Sequence, residues 1–191
     1  QLRRVLVGNE ALLQSERIDP GSLVTEAAHL REHGQTAVFV AVDGHPIGLI
    51  SLADPLKDEA WDVVKALQDL GLRVVLVSGD HVTSARAIAE QAGIKEFHGG
   101  VDPAGKAEML QHLRAEGRVV AMAGDGINDA PALAVADAGI AMGAGTDVAK
   151  QTAGVVLVSN DLRGLVRAFR LSEKTMRNVR QNLWFAFGYN A

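Results

Sequence analysis

The sequence predicts an α/β protein in which a parallel sheet is covered by helices and preceded by part of an antiparallel domain. Three observations carry that expectation. From Val74 onward, short apolar runs alternate with amphipathic helical stretches punctuated by glycine, the pattern of strands linked by crossover helices. Ahead of that region, "QTAVFVAVDGHPIGLISL" reads as two strands joined at Asp43-Gly44, a dipeptide that favours a tight hairpin. Hydrophobic residues make up 48% and charged residues 22% of the 191 positions, enough apolar material for a core and too little charge for a disordered tail.

The elements follow in order. "QLRRVLVGNEALL" opens directly on strand-like residues with no initiator methionine or signal peptide, and the hairpin comes next. The change from hairpin to alternating pattern places a boundary near Ala53-Asp54. "RVVLVSGD" is a buried strand, followed by a helix over "TSARAIAEQAG" that stops at Gly93. In "VDPAGKAEMLQHLRAEG", Asp102 suits an N-cap, Pro103 the first helical position and Gly117 the stop. A strand over "RVVAMA", a glycine-rich loop, a strand over "AGIAMG", a short helix over "TDVAKQTA" and a strand over "GVVLVS" complete the alternation.

From Leu162 a helical pattern runs through "LRGLVRAFRLSEKTMRNVRQN". Arg163, Arg167, Arg170, Lys174, Arg177 and Arg180 precede an apolar run that stops at "NLWFAFGYNA". Four of the eight aromatic residues fall in the last eight positions. That run is too short to span a bilayer, which takes about 20 apolar residues. It reads either as the cytoplasmic start of a membrane helix or as a terminal helix packing its aromatics on the core. The two ends together give the expectation of a piece of a longer protein.

Composition excludes some function classes. The net charge of −4 gives no electrostatic case for a nucleic-acid partner, and no basic stripe is expected. The absence of cysteine excludes a disulfide framework and a thiolate metal site within these residues.

"MAGDGINDAPAL" carries the chemistry. It places Asp125 and Asp129 among glycines just beyond an apolar strand, where ligands of parallel sheets sit. Gly124 and Gly126 let backbone approach a ligand closely. Asp125 offers a carboxylate to Mg²⁺, which takes oxygen ligands. Asp129 can orient Asp125, hold a magnesium-bound water or join the shell, and Asn128 adds an uncharged donor and acceptor. A polar turn with a capping aspartate is the plainer alternative. "VSGD" supplies the Ser78 hydroxyl, the Gly79 amide and the Asp80 carboxylate at another strand end; the hydroxyl and the amide N–H are donors suited to phosphoryl oxygens, but the stretch is also an ordinary strand-to-helix turn. Lys106 lies near a helix N-terminus, where an anion is favoured, although a lone lysine there often faces solvent. Covalent phosphoryl transfer also needs a nucleophile. Asp43 follows an apolar strand, but the hairpin explains it better, so the nucleophile is expected outside this chain.

"SGD", Lys106 and "GDGINDAPAL", in this order, resemble the haloacid dehalogenase superfamily. The longer string "AGDGINDAPALAVADAGIAMGAGTDVAKQTAGVVLV" resembles the phosphorylation domain of heavy-metal-transporting P-type ATPases. The resemblance implies a haloacid-dehalogenase-like Rossmannoid sheet and three parts: residues 1–53 from the nucleotide-binding domain, 54–165 from the phosphorylation domain without its nucleophile strand, and 166–191 as linker helix and start of the seventh membrane helix. It implies ATP binding at Gly8 and Asn9 in "VLVGN", and it sets Asp54 and Lys57 of "DPLKDEA" near the phosphorylated aspartate. Asp125 and Asp129 would serve Mg²⁺, and Ser78, Gly79, Asp80 and Lys106 the phosphoryl group. "NLWFAFGYNA" is similar to the stretch in which copper and silver pumps carry a metal-binding Tyr-Asn pair, here Tyr189 and Asn190, so copper or silver is the implied cargo.

The resemblance also favours the membrane-helix reading of the C-terminus, with residues up to about 180 on the cytoplasmic side of a multi-pass protein and the rest of the same polypeptide as partner. The Asp-Lys-Thr-Gly-Thr and Cys-Pro motifs and the adenine-side His-Pro motif of those pumps are absent, and Ser78 stands where they usually have threonine. Two other readings stand beside the pump: a non-catalytic module binding Mg²⁺ and nucleotide, and a soluble phosphatase of the same superfamily using Asp43.

Overall fold

The computed structural model describes residues 3–52, 56–124, 127–143 and 147–189. Asp54, Asp125, Gly126 and Asn190 lie outside the described residues. The chain forms two compact units, one of Gln1–Asp58 with Val74–Asp102 and one of Glu59–Arg73 with Pro103–Ala191.

The first unit is built on an antiparallel sheet of β1 (Val5–Gly8), β2 (Thr36–Val42) and β3 (His45–Leu52), in that order. Ala37, Phe39 and Ala41 of β2 alternate inward and are buried, as the two-residue period of a strand requires. They meet Leu13 and Ile18 from the α1 region and Ala27 of α2; α1 is Glu10–Ser15 and α2 is Leu23–Glu32. Arg31, one turn beyond Ala27, lays its guanidinium 5.9 Å from the centroid of the Phe39 ring, so a charged residue closes the core through its flat face. The hairpin turn is the predicted one. Val42 pairs with His45, and Asp43 and Gly44 both have positive φ, 49° and 82°, as a type I′ turn demands. Asp43 Oδ1 accepts from the Arg4 N–H at 2.9 Å, which ties the turn to the start of β1.

The same unit holds a parallel pair, β4 (Val75–Val77) and β5 (Glu96–His98), joined by α4 (Val82–Ala92). Helix α4 buries Ala85, Ala89 and Ala92, whose spacing puts them on one face. Its C-cap is Gly93 at φ 73°, the left-handed conformation that glycine takes without penalty. Strand β5 has no counterpart among the sequence-level expectations.

In the second unit β6 (Ala121–Gly124), β7 (Ala138–Ala141) and β8 (Val155–Val156) form a parallel sheet in that order. Around it lie α3 (Ala60–Asp69), α5 (Pro103–Ala115), α6 (Ala130–Val135), α7 (Asp147–Thr152) and α8 (Arg163–Tyr189). Leu133 and Ala141 are buried, with Met122 and Ala153 against them. Helix α5 starts on Pro103 as expected. The strand expected over Arg118–Ala123 is shifted, because the backbone N–H of Val120 donates to Asp137 Oδ2 at 2.9 Å while the Asp137 N–H donates to the Val120 carbonyl at 2.9 Å. Val120 is thereby occupied before the ladder begins, and Val119 is 91% exposed instead of buried.

Arg114, in the last turn of α5, completes that junction. Its Nε donates to Asp137 Oδ1 at 2.9 Å and its Nη1 to the Val135 carbonyl at 2.7 Å. Helix α8 is 27 residues long, yet among the described residues no helix is long and apolar enough to cross a membrane.

The hydrogen bond from the Val120 N–H, and after it the Arg114 charge, hold the Asp137 carboxyl below its ordinary value of 3.8. A carboxyl whose folded pKa is depressed stabilises the fold above its unfolded pKa and loses that contribution as pH falls through the folded value. The stability difference between wild type and Asp137→Asn, measured by urea unfolding, is therefore expected to be full at neutral pH and to shrink below about pH 4. A difference that stays constant through that window would remove the ionised carboxylate as its cause.

Candidate phosphate and magnesium site

Strand β6 ends at Gly124, and a single 3-10 turn, Ile127–Asp129, leads into α6. Asp129 occupies the N-cap position of α6 but makes no capping bond with its side chain. Instead its Oδ1 accepts from Lys106 Nζ at 2.8 Å, with each side chain only 13% exposed. The solvent-facing alternative for Lys106 is thereby removed. A charge-assisted bond of this length between groups largely out of water is strong, and either partner alone would be a poorly solvated charge.

Gly124 makes room for the pair. A Cβ added there would lie 2.7 Å from both Cβ and Oδ2 of Asp129, so any side chain at this position would push the carboxylate away. The glycine next to the predicted acid thus lets an acidic side chain close on the backbone. Asn128 is exposed beside it. Asp125 and Gly126, the centre of the predicted motif, lie outside the described residues.

Mg²⁺ typically uses one or two carboxylates and completes its octahedron with waters and phosphate oxygens. The chemistry of Asp129 fits that pattern as a donor, since Lys106 engages one carboxylate oxygen and the other rests against Gly124. Among the described residues no group of three or more His, Cys, Asp or Glu side chains comes together as a metal site.

The first unit holds the predicted Ser78-Gly79-Asp80 turn just after β4. Ser78 Oγ donates to Asp80 Oδ2 at 2.9 Å and accepts from the Asp80 N–H at 3.1 Å. Thr36 Oγ1 donates to Asp80 Oδ1 at 3.1 Å. The turn is tied to the segment after β5, since the Gly100 N–H donates to the Asp80 carbonyl at 2.6 Å and the Val101 N–H to that of Ser78 at 3.0 Å. Both oxygens of Asp80 are therefore occupied by hydroxyls, and Thr36, 44 positions away, has no local signal that marks it as one of them.

Asn9 caps α1, its Oδ1 accepting from the Leu12 N–H at 3.0 Å. That leaves the carboxamide nitrogen of an exposed residue, beside Gly8 at the end of β1, as its donor toward a ligand. Asp43 sits in the hairpin turn with one oxygen on Arg4, a structural position that does not suit a nucleophile. Tyr189 is 93% exposed at the end of α8.

One regularity went unread in the sequence. Lys106 and Arg114 stand eight residues apart on α5, and Asp129 and Asp137 stand eight apart across α6. Each cation meets the corresponding acid.

A haloacid dehalogenase-like hydrolase family matches residues 2–137, and the chain belongs to that family. Within this class its sequence is homologous to heavy-metal P-type ATPases. A copper-transporting P-type ATPase of Rhizobium leguminosarum bv. viciae is 51% identical over 187 residues, covering 98% of this chain and 22% of that protein. A silver exporting P-type ATPase of Salmonella typhimurium is 51% identical over 189 residues, covering 99% of this chain and 23% of that protein. Among solved structures, a zinc-transporting PIB-type ATPase in the E2.Pi state superposes with a TM-score of 0.74 at 38% identity, covering 98% of this chain and 30% of that one. The chain thus spans 22% to 25% of the length of the curated relatives it matches.

Lys106→Ala leaves a largely buried Asp129 carboxylate without its partner and is expected to destabilise the chain by on the order of 3 kcal/mol in urea unfolding. Lys106→Ala with Asp129→Ala should cost less than the two single changes added together, by about 1 kcal/mol or more. Strict additivity would mean the two side chains do not interact.

Proposed function

We propose that this chain is the magnesium- and phosphate-handling part of an ATP-driven heavy-metal pump, with copper or silver as cargo. The observation that carries the reading is the Lys106–Asp129 pair closed over Gly124 at the end of a parallel strand, in a chain 51% identical to copper and silver transporters.

In this reading residues 1–53 belong to a nucleotide-binding domain, 54–165 to a phosphorylation domain and 166–191 to a linker leading to the membrane. An aspartate upstream of the chain takes the γ-phosphoryl group of ATP onto a carboxylate oxygen as the bond to the β-phosphate oxygen breaks and ADP leaves. Ser78 and Gly79 donate a hydroxyl and an amide to phosphoryl oxygens, Asp80 orients the Ser78 hydroxyl, and Lys106 adds positive charge. Phosphoryl transfer spreads negative charge over the equatorial oxygens, so positioned donors and cations supply most of the catalysis. Asp125 and Asp129 would hold Mg²⁺, which when bound neutralises charge on the phosphoryl oxygens. Asp54 would act near the phosphorylated residue, and Gly8 with the Asn9 carboxamide would meet the nucleotide.

At the other end Tyr189 and Asn190 contribute to the ion path. Both are hard ligands, so selectivity for a soft ion rests on cysteines or methionines elsewhere in the parent protein. The parent is then a multi-pass membrane protein with residues up to about 180 on the cytoplasmic side.

The test uses the full reading frame that contains this chain. Asp125→Ala is expected to lower metal-stimulated ATP hydrolysis by on the order of 100-fold or more, and wild-type turnover in that variant would sink the magnesium assignment. A reading frame that forms no phosphoenzyme at all would favour the binding-module alternative. In the same assay Tyr189→Phe should reduce the response to metal while leaving ATP affinity near normal. An unchanged metal response would take Tyr189 out of the ion path.

A further inference from the structure

Helix α8 changes character along its length. Gly164 and Val166 are buried, whereas every residue from Arg170 to Tyr189 is exposed. At 3.6 residues per turn, Arg163, Arg167, Arg170, Lys174 and Arg177 share one stripe roughly 80° wide. That corrects the expectation that the chain carries no basic stripe.

The stripe is not uniformly available. Asp161 engages its base, with Oδ1 on Arg163 Nε at 2.9 Å and Oδ2 on Arg167 Nη2 at 3.1 Å. Among the described residues Arg170, Lys174 and Arg177, together with the neighbouring Arg180, have no ion-pair partner. Beyond Arg180 the cations stop. Leu183, Trp184, Phe185 and Phe187 follow, between 52% and 74% exposed, and they point in several directions around the axis. A helix end that is apolar over more than one face suits a bilayer rather than one packing partner, and aromatic rings favour the membrane interface.

Axial distances decide which cations matter. At 1.5 Å per residue, Arg180, Arg177 and Lys174 stand about 4.5, 9 and 14 Å before Leu183. The screening length at physiological salt is about 8 Å, and these side chains extend several ångströms from the axis. A negatively charged surface at the level of Leu183 is therefore felt by Arg180 and Arg177, partly by Lys174 and little by Arg170.

We propose that Lys174, Arg177 and Arg180 form a collar that binds the phosphate headgroups of anionic phospholipids where α8 meets the bilayer. The proposal rests on the reading that α8 leads to a membrane, and it adds the lipid class and the residues. Arginine engages phosphate through a planar fork of donors, and the aromatic end beyond the collar takes the apolar side of the same interface. A duplex nucleic acid would match the charge but keeps its bases stacked inside and offers no apolar phase to the aromatic end, and the chain as a whole is negative.

The test is co-sedimentation of the 191-residue chain with phosphatidylcholine vesicles, with and without phosphatidylglycerol, at low and high salt. Partitioning should favour the anionic vesicles and fall at high salt. Each of Arg177→Gln and Arg180→Gln should lower it roughly fivefold, the effect of one cation near an anionic leaflet, Lys174→Gln less than that, and Arg170→Gln least. These positions are exposed, so the variants should keep the wild-type unfolding curve. Equal partitioning into both vesicle types would overturn the proposal, as would an unchanged triple variant. Retention on duplex DNA at equal phosphate concentration, as strong as on vesicles, would overturn it in favour of general polyanion binding. None of these residues contributes to the magnesium assignment, so failure here leaves the Asp125→Ala result intact, and failure there leaves this one.

Discussion

The second unit is organised by an ion pair that its chain brings together across 23 positions, Lys106 on α5 with Asp129 at the head of α6. Helix α6 has only six residues, too few to be stable alone, so something outside it must set its direction. The Lys106 bond fixes its start, and Arg114 fixes its end through Val135 and Asp137. Both cations come from one helix and stand about 12 Å apart along it. The loop between β6 and α6 is therefore anchored on one side by the register of β6 with β7 and on the other by Asp129.

Stability alone gives little reason to build such a junction from charges. A well-packed apolar pair of similar volume commonly does as well as a buried ion pair or better. What the charges supply is a carboxylate of fixed position, pressed against a backbone with no side chain in its way. Had Gly124 been alanine, its Cβ would stand 2.7 Å from that carboxylate, so glycine and ion pair form one device. The same logic separates the two ends of α6. At Asp137 the carboxylate serves the backbone N–H of Val120 and the Arg114 fork and is structural; at Asp129 one oxygen remains beside the loop that the functional reading requires.

The sequence made legible what local geometry decides. Asp43-Gly44, Pro103 and Gly93 act through φ and through hydrogen bonds within a few residues, and each turn or helix end fell where those residues placed it. Strand β5 was illegible because three residues, Glu96 to His98, are too few to show a period of two. The start of β6 moved because Asp137, 17 positions away, occupies Val120 first. The partner of Lys106 is likewise a tertiary fact. It had a faint trace in the matching eight-residue spacings of acids and bases, which only the pairing of α5 with α6 makes meaningful. At the C-terminus the cations themselves are legible in the sequence, whereas which of them Asp161 occupies depends on side-chain geometry.

The Ser78-Gly79-Asp80 turn raises an apparent conflict with phosphate binding, because the Ser78 hydroxyl already donates to Asp80. A carboxylate beside a phosphoryl group would also repel it. The geometry of the turn resolves the first difficulty. Ser78 Oγ also accepts from the Asp80 N–H, so the oxygen keeps its place while its proton rotates from one acceptor to another. Giving up a bond to a charged acceptor costs on the order of 1.5–3 kcal/mol, which a phosphoryl oxygen, also charged, can return. Asp80 is not stranded by the exchange, since Thr36 still donates to its other oxygen. Under the proposed function the carboxylate would act as a place-holder that keeps the Ser78 hydroxyl poised while no phosphoryl group is bound, and the repulsion it exerts on a bound phosphoryl group would help that group leave.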